Sequence, residues 1–475
     1  MINNIKFPDL KISHKFLYFS IIFSLIILSA YLFFIDQTKF VIIPLIPFVG
    51  LLFFFTFRRY FLYYFIFSLG VVRYLQFDYR IQIITIISIM ILILFATYKD
   101  TETFNNLKYP YSIKLLSVLI VIQVLISSII SKYVSFQSVV YGCVFTIFVL
   151  ISYVIFRSVK NIKHINKLID LFILLVVVST LLTFADIFVT GYTRSSGLIG
   201  YAIMDFCVLV LLFLIFRNYL FGKANVLTHI SALLVFLLTI LHQSRFAWLG
   251  FVLSLVYGII VAVKYSPSVK VYLKKRVLSY FLLGVVFIGL VFIFGFHELI
   301  LLRVSQISLD FFQGTPEEGQ YLSNSLESRL LIWLTAYNVF IAHPFWGVGF
   351  YMFPLVSEQY NFLPQIMYEL YVENMDAHTT YFNFLVDTGI IGFTLFLSYF
   401  IAMFRLSFKA LKISLTDEEK SISIVLNVYC FFVIVHSIYS GAFTFGLNAF
   451  HMWFMFALNL SNYIILKNNY EEYPV

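Results

Sequence analysis

An all-α, polytopic membrane fold is predicted by three features of the sequence: its apolar content, the length of its apolar runs and the placement of its basic residues. Apolar residues make up 61% of the 475 and charged residues 12%, with a mean hydropathy of +0.96. Soluble domains carry about a quarter charged residues, so a soluble globule is excluded. Runs close to the ~20 residues that a helix needs to cross a bilayer recur along the chain. Lys and Arg gather in alternate connections between them, as the positive-inside rule requires. The aromatic content of 20%, with 58 Phe and 33 Tyr, suits lipid-facing helix surfaces and interfacial belts.

In chain order the runs lie near residues 16–34, 40–57, 60–77, 81–98, 113–131, 136–156, 168–188, 199–216, 225–243, 246–263, 277–296, 382–404, 422–440 and 446–466. That predicts about 14 transmembrane helices, within a range of 12–14. The first run follows basic residues, as a signal peptide would, but it is long and lacks a small-x-small cleavage pattern, so it is expected to be a retained span. With the N-terminus placed in the cytoplasm, 24 of the 32 Lys and Arg fall on the cytoplasmic side and 8 outside. A miscounted span would scramble this bias, so both termini are expected inside. Net charge of +9 is therefore a matter of topology, and no nucleic-acid partner is expected. Cys143, Cys207 and Cys430 all lie in apolar runs and read as small buried hydrophobes.

The same alternation places a long polar interval, 297–381, outside the membrane. From His297 to His378 it holds nine carboxylates against two cations, Arg303 and Arg329. Ser325 to Trp333 leads into an apolar helical pattern that runs to Ala342 and is stopped by Pro344. That run is too short to span, so a helix lying in the interface is expected. Gly347-Val348-Gly349 predicts a tight turn.

Six of the eight outer cations are arginines, among them Arg194 and Arg245 in short outer connections. A planar, permanently charged fork suits bidentate phosphate recognition better than an ammonium does. Arginines held at the outer headgroup level therefore point to an anionic, lipid-linked substrate, although each could instead pair with a carboxylate; Asp186 and Asp205 are the expected partners of Arg194. Asp376 is expected to cap the helix that follows it, with His378 at the helix N-terminus, where a neutral imidazole could act as a base. An interfacial histidine bonded to a neighbour is the plainer reading of His378 by itself.

Five motifs occur in order: Arg-x-x-Gly (Arg194 to Gly197), Ser-Arg (Ser244-Arg245), Arg-x-x-x-Trp (Arg329 to Trp333), His-Pro-x-x-Gly-x-Gly (His343 to Gly349), and a final stretch from His378 through Tyr381 to Gly389 and Gly392. Together they resemble the O-antigen ligase and O-antigen polymerase superfamily over about residues 190–400. The resemblance implies a GT-C-type glycosyltransferase that uses a polyprenyl-diphosphate-linked glycan as donor, with no metal and no cofactor. It implies that Arg194 and Arg245 bind the donor diphosphate and that His378 is the catalytic base, with Arg329, Tyr381 and Asp387 as candidate substrate-binding residues. This chain departs from the family in carrying Thr379 where Asn is common and Asp387 where Glu is common. Residues 1–190 would form N-terminal spans and 191–475 the ligase- or polymerase-like catalytic membrane domain.

The chemistry agrees with that implication. A sugar on a diphosphate already has a good leaving group, so the site needs charge stabilisation and a base for the acceptor hydroxyl. No Asp-x-Asp lies on the outer side to hold a metal. Expected partners are the lipid-linked donor, a glycan or lipid acceptor and membrane lipid, at the bacterial cytoplasmic membrane. Polymerisation of repeat units is the favoured reaction, because no segment marks a dedicated lipid or protein acceptor domain. The alternatives are a ligase that attaches the polysaccharide to a lipid, wall or protein acceptor, and a 14-helix lipid-linked oligosaccharide flippase. A flippase should carry ionisable residues within its spans, and here those spans carry few.

Overall fold

The computed structural model describes residues 107–133, 136–190, 203–241, 244–275, 325–441, 443–444 and 446–472. All belong to the second of two compact units, Thr101–Val475. The first unit, Met1–Asp100, lies outside the described residues, as do the expected spans at 16–34, 40–57, 60–77, 81–98 and 277–296 and the first part of the polar interval, 297–324.

Among the described residues every regular element is a helix. In order these are α1 (Tyr111–Ile130), α2 (Phe136–Ser158), α3 (Ile162–Thr190), α4 (Ile203–Phe213, continued by a π-helical turn, Leu214–Tyr219), α5 (Val226–Leu241), α6 (Arg245–Tyr265), α7 (Ser325–Ala342), α8 (Phe353–Val356), α9 (Gln365–Tyr371), α10 (Thr380–Ile413), α11 (Asp417–His436) and α12 (Gly446–Glu472). Seven of them, α1, α2, α3, α6, α10, α11 and α12, are long and apolar enough to cross a membrane. The shorter α4 and α5 stand where spans were expected at 199–216 and 225–243.

Polar residues flanking the apolar runs start these helices. Asn225 accepts the Thr228 N–H at 2.9 Å ahead of α5, and Ser244 accepts the Ala247 N–H at 3.4 Å ahead of α6. Thr416 and Glu419 form a reciprocal capping box on α11, which satisfies two backbone donors that a helix end leaves open. Outward faces remain apolar: Val118, Ile122 and Ile129 on α1, Leu174 and Leu181 on α3, and Val252, Val256 and Ile260 on α6 are exposed. A bilayer accepts such faces and water does not. The chain is accordingly a multi-pass membrane protein by composition and by helix surface.

Helix α10 is central, packing against α1, α7, α11 and α12, while α6 packs on α11 and α4. The apolar window of α12 is 89% buried, against 33% for α6, so α12 is a core helix and α6 a peripheral one. With lipid as solvent, apolar surface alone does not drive helices together, and buried amides supply directional contacts. Asn459 donates to the Met403 carbonyl of α10 at 2.9 Å, Asn462 to Ser423 of α11 at 2.9 Å, and Asn427 of α11 to Ser407 of α10 at 2.8 Å.

The helix expected up to Ala342 is present as α7, with Leu334, Tyr337 and Ile341 exposed on one face and Ile332, Ala336 and Val339 buried on the other. The buried face joins Val348, Met352, Phe353, Val356, Tyr368, Val372, Ala377 and Val386 in a small core of its own. Two expectations are corrected. The span predicted at 382–404 is a 34-residue helix broken at Gly389 (φ 68°, ψ −174°). The span predicted to reach residue 440 stops at His436, and a turn follows it.

Candidate active site

His378 sits one residue ahead of the α10 N-cap, which is Thr379 and not Asp376. Asp376 serves the histidine instead. Its Oδ1 accepts the His378 backbone N–H at 3.0 Å and lies 2.6 Å from ring Nδ1. A carboxylate bonded to its own chain two residues on is an Asx turn, and the backbone at His378 is left-handed (φ 52°). Burial works against the charge of Asp376, yet the His378 ring and N–H and the Asn383 amide outweigh it and hold the carboxyl below its ordinary range. An ionised carboxylate only accepts hydrogen bonds, so Nδ1 carries a proton, and in the neutral ring the lone pair lies on Nε2. None of the described residues bonds Nε2, and the ring is 35% exposed against 23% for Asp376. A half-open imidazole with a free Nε2 has the form of a base awaiting a proton.

The turn after α11 holds this segment in place. The Ser437 and Ser440 carbonyls both accept the Thr380 N–H, at 3.1 and 2.9 Å, and they also take the hydroxyls of Thr379 (2.9 Å) and Thr380 (2.7 Å). The Tyr439 carbonyl between them accepts a bond from the Arg329 guanidinium. Gly441 lies against Asp376 and Asn383, and the Tyr439 hydroxyl lies against Gly250 of α6. At the head of the turn, His436 Nε2 and Asp205 Oδ1 are 2.7 Å apart. Asp205 thus meets His436, and Asp186 is exposed near the end of α3; the expected pairing of these carboxylates with Arg194 lies outside the described residues.

Of the other candidates, Arg329 and Tyr381 are engaged with backbone: the Tyr381 hydroxyl donates to the Ile434 carbonyl at 2.9 Å and ties α10 to α11. Asp387 is fully buried, and its Oδ2 accepts the Tyr351 N–H at 2.9 Å. It belongs to a backbone exchange between two of the motifs. The break at Gly389 removes helix bonds from residues 386–390, and the loop at 344–349 replaces them. Val348 and Gly349 donate to the Val386 and Asp387 carbonyls, each at 3.0 Å, and Ile390 donates to the Pro344 carbonyl at 2.8 Å. Helix α1 supplies the remainder, with Gln123 donating to the Thr388 carbonyl at 3.0 Å and Ser127 to that of Asp387.

His343, the first residue of that loop motif, does not join His378. Its Nε2 is 2.6 Å from the Tyr360 hydroxyl, which in turn lies 2.6 Å from the Tyr133 hydroxyl. Burial, with Lys132 nearby, lowers the His343 pKa, and burial with the Tyr133 hydroxyl pushes Tyr360 up to about 12. Both groups are neutral at neutral pH and act as a structural strut.

Arg194 lies outside the described residues. Arg245 is the first residue of α6, and its side chain also lies outside them. Among the described residues no three His, Cys, Asp or Glu side chains converge to hold a metal ion. Three features escape a reading of the sequence: the Asp376 contact, the His436–Asp205 pair and the bonds from Gln123 and Ser127 of α1 to the break in α10. The signals were present as Asp-x-His spacing and as the Ser437-to-Gly441 cluster of small polar residues, but either pattern occurs in many ordinary turns.

A search of curated proteins finds no match to the chain. Residues 230–397, about a third of the chain, match the family model described as O-antigen ligase (Wzy_C). The match takes in Arg245, Arg329, His343 to Gly349 and His378 to Gly392 and stops short of Arg194. Residues 230–397 are thus similar to an O-antigen ligase domain, in agreement with the superfamily that the motifs resemble.

Proposed function

We propose that this protein is a membrane glycosyltransferase that moves glycan from an undecaprenyl-diphosphate-linked donor to an acceptor hydroxyl at the outer face of the cytoplasmic membrane, polymerising surface-polysaccharide repeat units. Its membership of the enzymes of polysaccharide assembly follows from the O-antigen ligase domain and the apolar helices around it. The donor, the residue roles and the reaction type go further. In this reading residues 191–475 form the catalytic membrane domain and 1–190 the N-terminal spans. The observation that carries the chemistry is that Asp376 occupies Nδ1 of His378 while Nε2 has no partner among the described residues.

His378 Nε2 takes the proton from the acceptor hydroxyl as that oxygen bonds to the anomeric carbon. The bond from the anomeric carbon to the diphosphate oxygen breaks, and Arg194 and Arg245 neutralise the charge that builds on the departing lipid diphosphate. Removing a general base typically costs about a hundredfold to ten-thousandfold in rate. His378→Ala should therefore bind the donor about as well as wild type in nanodiscs yet form little product, whereas Arg194→Ala should lose donor binding. Full turnover by His378→Ala, or loss of its donor binding, would remove His378 from the role of base. The lipid-linked pool of a deletion strain decides the reaction: single units mark a polymerase, and long unattached polymer marks a ligase.

A further inference from the structure

This inference rests on His378 being the base and adds a residue to it. Both oxygens of the Asp376 carboxylate have partners. Its Oδ1 holds the His378 N–H and faces the ring, and its Oδ2 lies 3.4 Å from the Asn383 amide nitrogen. Asn383 is buried and fixed in turn, accepting the Ala377 N–H at 2.8 Å and donating to Thr444 at 3.1 Å. A left-handed, non-glycine backbone at His378 is a conformation the surroundings must impose, and here its result is that ring and carboxylate meet.

A carboxylate on one imidazole nitrogen does two things for a base working through the other. It selects the tautomer with the lone pair outward, and its charge stabilises the imidazolium that forms as the proton arrives. We propose that Asp376 is a positioning residue of the transfer reaction, holding His378 with Nδ1 protonated and Nε2 presented to the acceptor hydroxyl. The acceptor proton ends on Nε2, and Asp376 remains a carboxylate throughout.

A double-mutant cycle on the full chain in nanodiscs tests this, with lipid-linked glycan extracted from a deletion strain as the probe. Asp376→Asn keeps the shape and removes the charge. It should lower kcat by about a hundredfold with the donor KM within about twofold, and it should add little loss in a His378→Ala background, because residues that act through one another are not additive. A turn-holding role would instead multiply the two losses and raise KM, and that result, or an unchanged kcat in Asp376→Asn, overturns the proposal. Gly441→Ala gives the second arm: its methyl would strike Asp376 Oδ2 and the Asn383 amide, moving the carboxylate while keeping its charge. Its kcat loss should likewise vanish in the His378→Ala background, and this cycle decides the matter should Asp376→Asn fail to insert. Wild-type turnover by His378→Ala alone is a different outcome: it removes the base assignment itself.

Discussion

Arg245 stands where helix electrostatics disfavour it. It is the first residue of α6, just after the Ser244 cap, and a cation near a helix N-terminus is in general disfavoured by the helix dipole. A bound diphosphate would reverse that cost, since helix N-termini and guanidinium groups both favour anions. Arg245→Lys keeps the charge and loses the fork, so severe loss of polymer is expected with insertion and expression unchanged, read by immunoblot beside product analysis. Near wild-type product would make Arg245 a lipid anchor. Arg329, Tyr381 and Asp387 teach a different lesson: each could have been a substrate ligand by residue type, yet each spends at least one polar atom on a specific backbone group. Their replacement should disturb the turn after α11, the α10–α11 contact and the 351–353 loop before it disturbs substrate.

At the scale of elements, the spacing of two motifs has a mechanical explanation. The His343-to-Gly349 loop and the Asp387-to-Gly392 stretch are two sides of one backbone exchange, in which a broken helix lends its carbonyls to a loop and takes one back. Non-helical backbone is tolerated beside a membrane only when neighbouring protein satisfies it. Gly347 (φ 71°) and Gly389 (φ 68°) make the close approach feasible, since a Cβ on either would strike the backbone of the other segment. Gly389→Ala combines that collision with a left-handed backbone, each a recognised source of strain of about 1–3 kcal/mol. A lower melting temperature in detergent and reduced membrane levels are expected. Ser127→Ala on α1, which removes a single donor from the Asp387 carbonyl, should show the same trend at about 1 kcal/mol. Unchanged melting in Gly389→Ala would mean that the break is not needed for folding.

For the whole molecule, the distribution of Lys and Arg carries a prediction about orientation. In a cysteine-free background, a cysteine at Gly319 should react with an impermeant reagent in intact spheroplasts and one at Ser268 should not; reversed labelling would move the candidate site to the other side of the membrane. The helical class, the places of the helices α1–α6 and α10–α12 and the α7 pattern were legible in sequence, because lipid imposes its demand on each helix separately and apolar length and cap residues report it locally. His378 was legible as a candidate for a similar reason, through motif order. Its partner was not. That Asp376 turns back onto the ring is a local contact whose Asp-x-His pattern many ordinary turns share; that Asp205 meets His436 from 231 residues away and that α1 completes the break in α10 depend on contacts between segments far apart in the chain. Such contacts leave no periodicity in a single sequence, since a buried serine or aspartate is chosen by the one backbone group it must satisfy, and that group is brought to it only by the tertiary fold.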